Sequence, residues 1–590
     1  MSADDIALFP RPRHLVVHDG AHVDVATLAV DRRVDESLPS EGFTLEVRSD
    51  GVRIAHADDA GARHAESVRA QLARRGHGTP PLDVADQPAF SVRGYMLDVS
   101  RDRVPTRDTL ARLVEVLALA RYNQLQLYTE HTFAYRDHEV VWRDASPLTP
   151  ADIRWLDGVC AAAGIELVPN QNVFGHFGRW LAHDEYRARA ESPDGFEMMP
   201  GVVLPPTVLA PTEDNARLAL DLLHELLACF TSRRVHIGCD EAMELGQGVS
   251  RERAEQTSRG RVFLEHVLRI ATPLLADGYE VQMWDDMLRH EPALLRELPA
   301  GVVPVPWTYE QPGAPVARPL PPWFDDLMAR LGYAEGDLTD GFAHLLDHYG
   351  DVGRPYLLAP GTSTWNSLVG RVDNAFGNID DAVRTGLDRR ADGVLVTDWG
   401  DNGHLQPPVV SLPGILFGGA AAWCGDTSPD VDVTAAIDDL VLGDSTRRLG
   451  RVLDRIGRVW SRTGQHALNG SPLQAALVPD AMFFAFGEPD ADAVRSVVDD
   501  LDAALDDIAA SQPTSSDAAA ATLQLTAATR LARHGAYRLL ARAGAKAPDR
   551  REMADDLREA VELHRDSWLA VSRPGGLRDS IGPLERQLAE

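Results

Sequence analysis

Between residues 91 and 423 the chain alternates short apolar runs with longer stretches in which apolar side chains recur every three or four positions. Short apolar runs suit strands buried on both faces, and the longer pattern suits amphipathic helices, so their alternation predicts βα units on a parallel sheet. Eight such runs stand at 92–99, 122–130, 165–170, 234–240, 279–285, 302–307, 356–365 and 393–399. Eight units in roughly 330 residues predict an α/β fold, a (β/α)₈ TIM barrel carrying insertions. The flanks follow other rhythms. Upstream, β-like runs at 43–47 and 52–54 precede a helical pattern at 64–75, and the Gly-, Pro- and Asp-rich stretch 76–88 separates this small α/β unit from the barrel. Downstream of about residue 430, Ala, Leu, Arg and Asp dominate 501–508, 518–545 and 550–570 without a sustained heptad, which predicts a packed helical bundle. The expected organisation is a small N-terminal α/β domain at 1–88, a catalytic barrel at 89–428 and an α-helical domain at 429–590.

Composition narrows the function. The 590 residues exceed one ordinary hydrophobic core, 44% are hydrophobic and 25% charged, and no apolar run is long enough to predict a membrane span. Lys plus Arg number 58 against 89 acidic residues, a net charge of −31 that would repel phosphate backbones and anionic lipid. Neither nucleic acid nor membrane is therefore an expected partner. Cys160, Cys229, Cys239 and Cys424 are isolated from one another, which predicts free thiols and neither a disulfide framework nor a zinc site. His344 and His348 lie four apart on a predicted helix, but no glutamate completes a zinc-hydrolase motif, and no Gly-rich phosphate loop or Gly-x-Ser-x-Gly elbow occurs. No metal and no cofactor is expected. Residues 1–10 show no basic stretch followed by an apolar one, so a cytoplasmic location is expected.

Barrel enzymes build their sites at the C-terminal ends of the strands. Those ends carry Asp98, Glu130, Asn170 with Asn172, Asp240 with Glu241, Trp284 with Asp285 and Asp286, Trp307, Trp365 with Asn366, and Asp398 with Trp399. Carboxylates and tryptophans together suit a carbohydrate pocket, where aromatic faces cover the CH face of a sugar and polar groups hold its hydroxyls. Cleavage of a glycoside needs an acid for the departing oxygen and a group that stabilises charge at the anomeric carbon. Asp240 and Glu241 are candidates for both, because neighbouring like charges split the pKa values of such a pair.

The stretch 236–241, His-Ile-Gly-Cys-Asp-Glu, resembles the His-x-Gly-Gly-Asp-Glu signature of glycoside hydrolase family 20, the β-N-acetylhexosaminidases. The stretch 93–101, Arg-Gly-Tyr-Met-Leu-Asp-Val-Ser-Arg, resembles that family's first barrel strand, Gly175-His176 resembles its Pro-Gly-His, and residues 1–88 resemble its N-terminal domain. The resemblance covers about 1–425. It implies a retaining, exo-acting hydrolase of β-linked N-acetylhexosaminides (GlcNAc, GalNAc or both), in which the substrate's own acetamido oxygen attacks to form an oxazolinium. It further implies that Asp240 orients the acetamido group and that Glu241 is the general acid and then the base. Substrate-binding roles fall to Arg93, Glu130, His176, His236, Trp284, Trp307, Trp365, Asp398 and Trp399, with Trp423 as a further candidate. The chain departs from the family pattern at Cys239, at Asn170 and Asn172, and at Glu130-His131, which marks a divergent subgroup. The family's acetamido-binding tyrosine has no clear counterpart: Trp365-Asn366 occupies its neighbourhood and Tyr309 is a distant candidate. Two other readings stay open, a retaining β-glycosidase with an enzyme carboxylate as nucleophile and an inactive sugar-binding barrel. The C-terminal helices are candidates for covering the barrel, extending the pocket or forming a homodimer contact.

Overall fold

A computed structural model describes residues 6–199, 201–314, 327–328, 332–349, 353–425, 431–479 and 485–589. The N-terminal unit is a sheet of strands β1 (His14–Val17), β2 (Val30–Val34), β3 (Phe43–Arg48), β4 (Gly51–His56) and β5 (Leu82–Asp86), in the order β1-β5-β3-β4-β2. Strict alternation along β3 buries Phe43, Leu45 and Val47, and helix α1 (Asp59–Ala73) lays Ala65, Val68 and Leu72 over that face.

Eight parallel strands then form the barrel, as the apolar runs predict. They are β6 (Val92–Asp98), β7 (Gln124–Thr129), β8 (Glu166–Gln171), β11 (Arg234–His236), β12 (Glu280–Trp284), β13 (Val302–Val305), β14 (Leu357–Leu358) and β15 (Gly393–Asp398), with a hairpin of β9 (Phe196–Met199) and β10 (Val202–Leu204) inserted after β8. A parallel bridge between Trp307 and Ala359 joins the two ends of the sheet. The seventh strand is far shorter than the run 356–365 suggests. Beyond Ala359 the run keeps only a parallel bridge between Gly361 and Thr397, and Trp365 at its end is buried.

Outside the strands lie helices α2 (Arg107–Leu119), α3 (Pro150–Ala163), α4 (Glu213–Leu227), α5 (Arg259–Ala276), α6 (Gly341–Tyr349), α7 (Val372–Arg389) and α8 (Leu412–Cys424). Helix α3 shows how locally these are encoded. Thr149 and Asp152 form a reciprocal capping box, Pro150 opens the helix, and Gly164 closes it in the left-handed conformation. Helix α6 carries His344, whose Nε2 lies 3.7 Å from Asp337 Oδ1, while the side chain of His348 lies outside the described residues.

The chain ends in helices α9 (Leu449–Ile456), α10 (Ala491–Ala510), α11 (Ala518–Arg542), α12 (Arg550–Val571) and α13 (Leu577–Ala589), and β16 (His466–Ala467) pairs with β17 (Ala485–Phe486) in a short ribbon. These helices share one continuous core with the barrel helices. The Thr106 N–H donates to Val571 O at 3.0 Å and the Arg573 N–H to Val104 O at 2.8 Å, so the bundle is tied to the start of α2. The expected boundary at 428–429 falls outside the described residues. Among the described residues no helix is long and apolar enough to cross a membrane.

Candidate active site

Side chains alternate faces along a strand, so barrel register decides which strand-end groups can meet. Met96 on β6, Tyr128 after Gln124 and Gln126 on β7, Trp284 on β12 and Leu395 on β15 fill the barrel interior. Tyr95 on β6 and Val394 and Val396 on β15 pack outward against the helices. The inward parity runs through Asp98, Glu130, Asn172, Asp240, Asp286, Tyr309 and Trp399.

Strand β11 stops at His236, sooner than its apolar run suggests, because the chain then enters left-handed conformations at Gly238 (φ 66°), Cys239 (φ 72°) and Glu241 (φ 49°). A Cβ on Gly238 would stand 2.7 Å from Asn172 Cα, so only glycine fits the first of these positions. Strain of this kind collects where backbone must deliver side chains to a site, and here it presents two adjacent carboxylates to one opening. Gly175 lets the neighbouring loop in, since a Cβ there would lie 2.2 Å from the carbonyl oxygen of Asp240. His176 follows it.

The two carboxylates have different surroundings. The Asn172 side chain donates Nδ2–H to Asp240 Oδ1 at 2.6 Å, and His176 Nε2 lies 3.2 Å from Asp240 Oδ2. Burial pushes the Asp240 pKa up, but the His176 imidazolium outweighs it and holds the group below the ordinary carboxylate value. His176 itself is pushed up to about 10: burial opposes its charge, and Asp240, Glu130 and Glu241 together overcome that opposition. Glu241 is held above its ordinary value by burial, reinforced by Asp240 and Asp401 and opposed by His176. Its side chain keeps 30% of its surface open, against 8% for Asp240, so Glu241 faces the cavity. The Tyr333 O–H donates to Glu241 Oε1 at 3.2 Å, and the Glu241 N–H donates to Asp286 Oδ2 at 2.8 Å. Asp286 is pushed up to about 7, chiefly by burial and by Asp240. The environments thus push the pair apart, favouring the anion at Asp240 and the protonated form at Glu241.

These groups open on a cavity of about 530 Å³. Trp307, Trp365 and Trp399 wall it, and Tyr309 joins them, stacked on Trp307 with ring centroids 5.2 Å apart. The Tyr309 hydroxyl accepts the Trp399 Nε1–H at 2.8 Å. Arg101 and Asp401 form the polar side: Arg101 lies 3.0 Å from Asp98, 3.4 Å from Glu130 and 3.4 Å from Asp401, and packs over the rings of Tyr128 and Trp399. The C-terminal region extends the pocket. Asn469 accepts the Trp365 Nε1–H at 2.8 Å through Oδ1, and its own N–H donates to Glu310 at 2.6 Å. Sequence reasoning misses Arg101, Asp401, Tyr333 and Asn469. Arg101 stands inside the quoted 93–101 motif and Asp401 two residues past Trp399, so both had a local signal; Tyr333 and Asn469 arrive from distant segments and had none.

Several expected substrate-binding residues are not brought to the cavity. Arg93 shares the outward parity of Tyr95 at the opposite end of β6. It is fully buried, donates to Arg121 O and Phe90 O, and pairs with Glu41 at 2.5 Å. Arg93 therefore fastens the N-terminal sheet to the barrel. Breaking such a buried pair costs about 3–5 kcal/mol, so Arg93→Met should lower the melting temperature markedly while leaving kcat/KM of the folded protein unchanged. A selective rise in KM with intact stability would return Arg93 to the substrate. Asp398 is outward too, where it accepts from Tyr95 at 2.6 Å and from Thr362 and Thr364 at 2.7 Å each. His236 and Trp284 have the right parity but lie one layer too deep. His236 accepts the Gly238 N–H at 3.0 Å, has its pKa lowered by burial to about 3, and packs at a tilt against Trp284 with ring centroids 4.4 Å apart, and Trp284 in turn packs against Trp399. Glu130 sits behind the cavity wall, 3.6 Å from His176 Nδ1, with burial raising its pKa against the pull of Arg101 and His176. Trp423 belongs to the far end, where its Nε1–H donates to Asp86 at 2.9 Å.

Residues 90–314 match the model of the glycosyl hydrolase family 20 catalytic domain. Hexosaminidase D of Homo sapiens is 27% identical over 230 residues, 37% of this chain and 45% of that protein. Beta-hexosaminidase 1 of Coccidioides posadasii is 25% identical over 294 residues, 45% of this chain and 49% of that protein. The chain spans about half the length of these curated relatives. Among solved structures, a chitobiase of Flavobacterium johnsoniae superposes with a TM-score of 0.60 at 15% identity over 100% of both chains. A beta-N-acetylhexosaminidase superposes with a TM-score of 0.57 at 17% identity over 74% of this chain and 94% of the other, and both likenesses speak to the fold. Over residues 90–314, then, the barrel of this chain is similar to the catalytic domain of glycosyl hydrolase family 20.

Proposed function

We propose that this protein removes terminal β-linked N-acetylhexosamine units with retention of configuration, the substrate's acetamido group serving as nucleophile. One observation carries the reading: Asp240 and Glu241 stand side by side at a tryptophan-walled cavity, the first held below and the second above its ordinary carboxylate value by its surroundings. In the first step the acetamido oxygen bonds to the anomeric carbon. The bond to the aglycone oxygen breaks, its electron pair stays on that oxygen, and Glu241 supplies the proton. The oxazolinium so formed carries positive charge at nitrogen, next to which Asp240 is fixed as an anion by Asn172 and His176. Water then adds at the anomeric carbon while Glu241 takes its proton and the carbon–oxygen bond of the oxazolinium opens.

The remaining roles follow from position. Trp307, Trp365 and Trp399 pack the apolar faces of the ring and of the acetamido methyl. Tyr309, which accepts its hydrogen bond from Trp399, keeps its own proton for the acetamido oxygen. Arg101 and Asp401 take the hydroxyls at the non-reducing end, which limits the enzyme to terminal residues. 4-Nitrophenyl β-N-acetylglucosaminide and its galacto epimer test the activity. Turnover of at least one is expected, with strong competitive inhibition by a thiazoline analogue of the oxazolinium, and no turnover of either would refute the proposal.

A further inference from the structure

The cavity has two unlike sides. Arg101, Asp401, Asn402, Asn366 and Asn469 follow one another around one of them; Asn402 Nδ2–H donates to Asn366 Oδ1 at 2.9 Å, and Asn366 Nδ2–H donates to Asn469 O at 3.2 Å. The other side lies around the acid: apart from Asp240, His176 and the Tyr333 hydroxyl, its lining among the described residues is apolar. Met243 lies two residues beyond Glu241, and its N–H donates to Glu241 O at 2.6 Å. Met198, from β9 of the inserted hairpin, packs in one cluster with Phe196 and Leu327, joined by Met243, Met328 and Leu204. Met328 adjoins Tyr333, whose N–H donates to Met328 O at 3.0 Å while its hydroxyl reaches Glu241. Met198, Met243, Leu327 and Met328 all line the cavity.

Because a general acid delivers its proton to the departing oxygen, whatever lies beside Glu241 and away from the ring-binding side receives the aglycone. A second sugar there would present hydroxyls around its rim chiefly to thioethers and branched alkyl groups, which among the described residues leaves desolvated hydroxyls short of partners. An apolar group meets flexible, polarisable methionines that mould to its shape. The hairpin continues this character outward: among the described residues, Val202 and Val203 at its tip are 39% and 65% exposed, two of the few large apolar side chains left open to solvent.

We infer that the aglycone this site accepts best is an apolar alcohol, so that the substrate class is the β-N-acetylhexosaminides of alkyl-chain or similar hydrophobic alcohols and not hexosamine oligosaccharides. The inference rests on the hydrolase reading above. It is tested with methyl and hexyl β-N-acetylglucosaminide, whose leaving alcohols have similar acidity, and with N,N′-diacetylchitobiose.

Each methylene fully withdrawn from water contributes about 0.8 kcal/mol, about fourfold in kcat/KM, so partial burial of the hexyl chain should favour it over methyl by about 10- to 50-fold. Chitobiose should be a poorer substrate than the hexyl glycoside. Met198→Gln and Met243→Gln should each reduce the hexyl-to-methyl ratio several-fold. The ratio is taken within one preparation, so a loss of folded protein cancels. A wild-type ratio near one, a preference for chitobiose, or a ratio untouched by both substitutions would overturn the inference and leave the hydrolase activity standing. Failure to cleave any of the three would overturn the activity and the inference together.

Discussion

Glu241→Gln should lower kcat/KM for an alkyl β-N-acetylhexosaminide by about 10²- to 10⁴-fold, the usual span for loss of a general acid. The amide keeps the size of the side chain and can still accept from Tyr333, but it has no proton to give. The loss should be smaller for 4-nitrophenyl glycosides, whose leaving group departs with little help, and larger for alkyl ones. The pH profile separates this from a general structural effect. Because burial, Asp240 and Asp401 hold Glu241 above its ordinary value, wild-type kcat/KM should decline on the alkaline side only above the usual carboxylate range, as Glu241 loses its proton. That alkaline decline should vanish from kcat/KM in the variant. An equal loss for good and poor leaving groups, with the decline intact, would assign the acid to another group.

Asp240→Asn should reduce kcat by about 10²- to 10³-fold with little change in KM, since the missing charge matters only as the oxazolinium develops. Its second consequence concerns His176, whose elevated pKa depends most on Asp240 among its neighbours. For a histidine raised on folding, the stabilising contribution is complete below the unfolded pKa of about 6.5 and disappears as pH rises toward about 10. For Asp240, lowered on folding, the contribution is present above about pH 3.9 and disappears as pH falls. The wild type should therefore exceed Asp240→Asn in melting temperature most clearly near pH 6, and by less at pH 10. A difference that grows with pH would mean that His176 is neutral in the folded protein.

The barrel is legible in the sequence because each strand is an apolar run between helices, and the Asp240-Glu241 pair because it ends such a run inside a recognisable signature. What the sequence withholds is which face of a strand looks inward. A parallel strand covered on both sides is apolar on both sides, so the run itself carries no parity. Arg93 and Asp398 are misjudged for that reason, and Arg101 and Asp401, a few residues along the same segments, occupy the expected places. Depth is hidden in the same way: Trp284 and Trp399 read alike, yet one supports the other from the layer below.

The departure at Asn172 has a local role in the fold. Its amide N–H binds Asp240, a contact that a carboxylate in that place would turn into repulsion. Tyr333 comes from the segment between β13 and β14, and Asn469 from beyond the barrel altogether. Contacts made across such sequence distances leave no local pattern to read.

In the proposed reaction the nucleophile belongs to the substrate, with Asp240 steadying it and Glu241 moving the proton. The direct test is kcat/KM for 4-nitrophenyl β-glucosaminides bearing acetyl, monofluoroacetyl, difluoroacetyl and trifluoroacetyl groups on the same nitrogen. Fluorine withdraws electron density from the acyl oxygen, so participation predicts a steep, monotonic fall in rate across the four substrates. A flat series would show that the acyl oxygen does not attack, and would refute substrate participation.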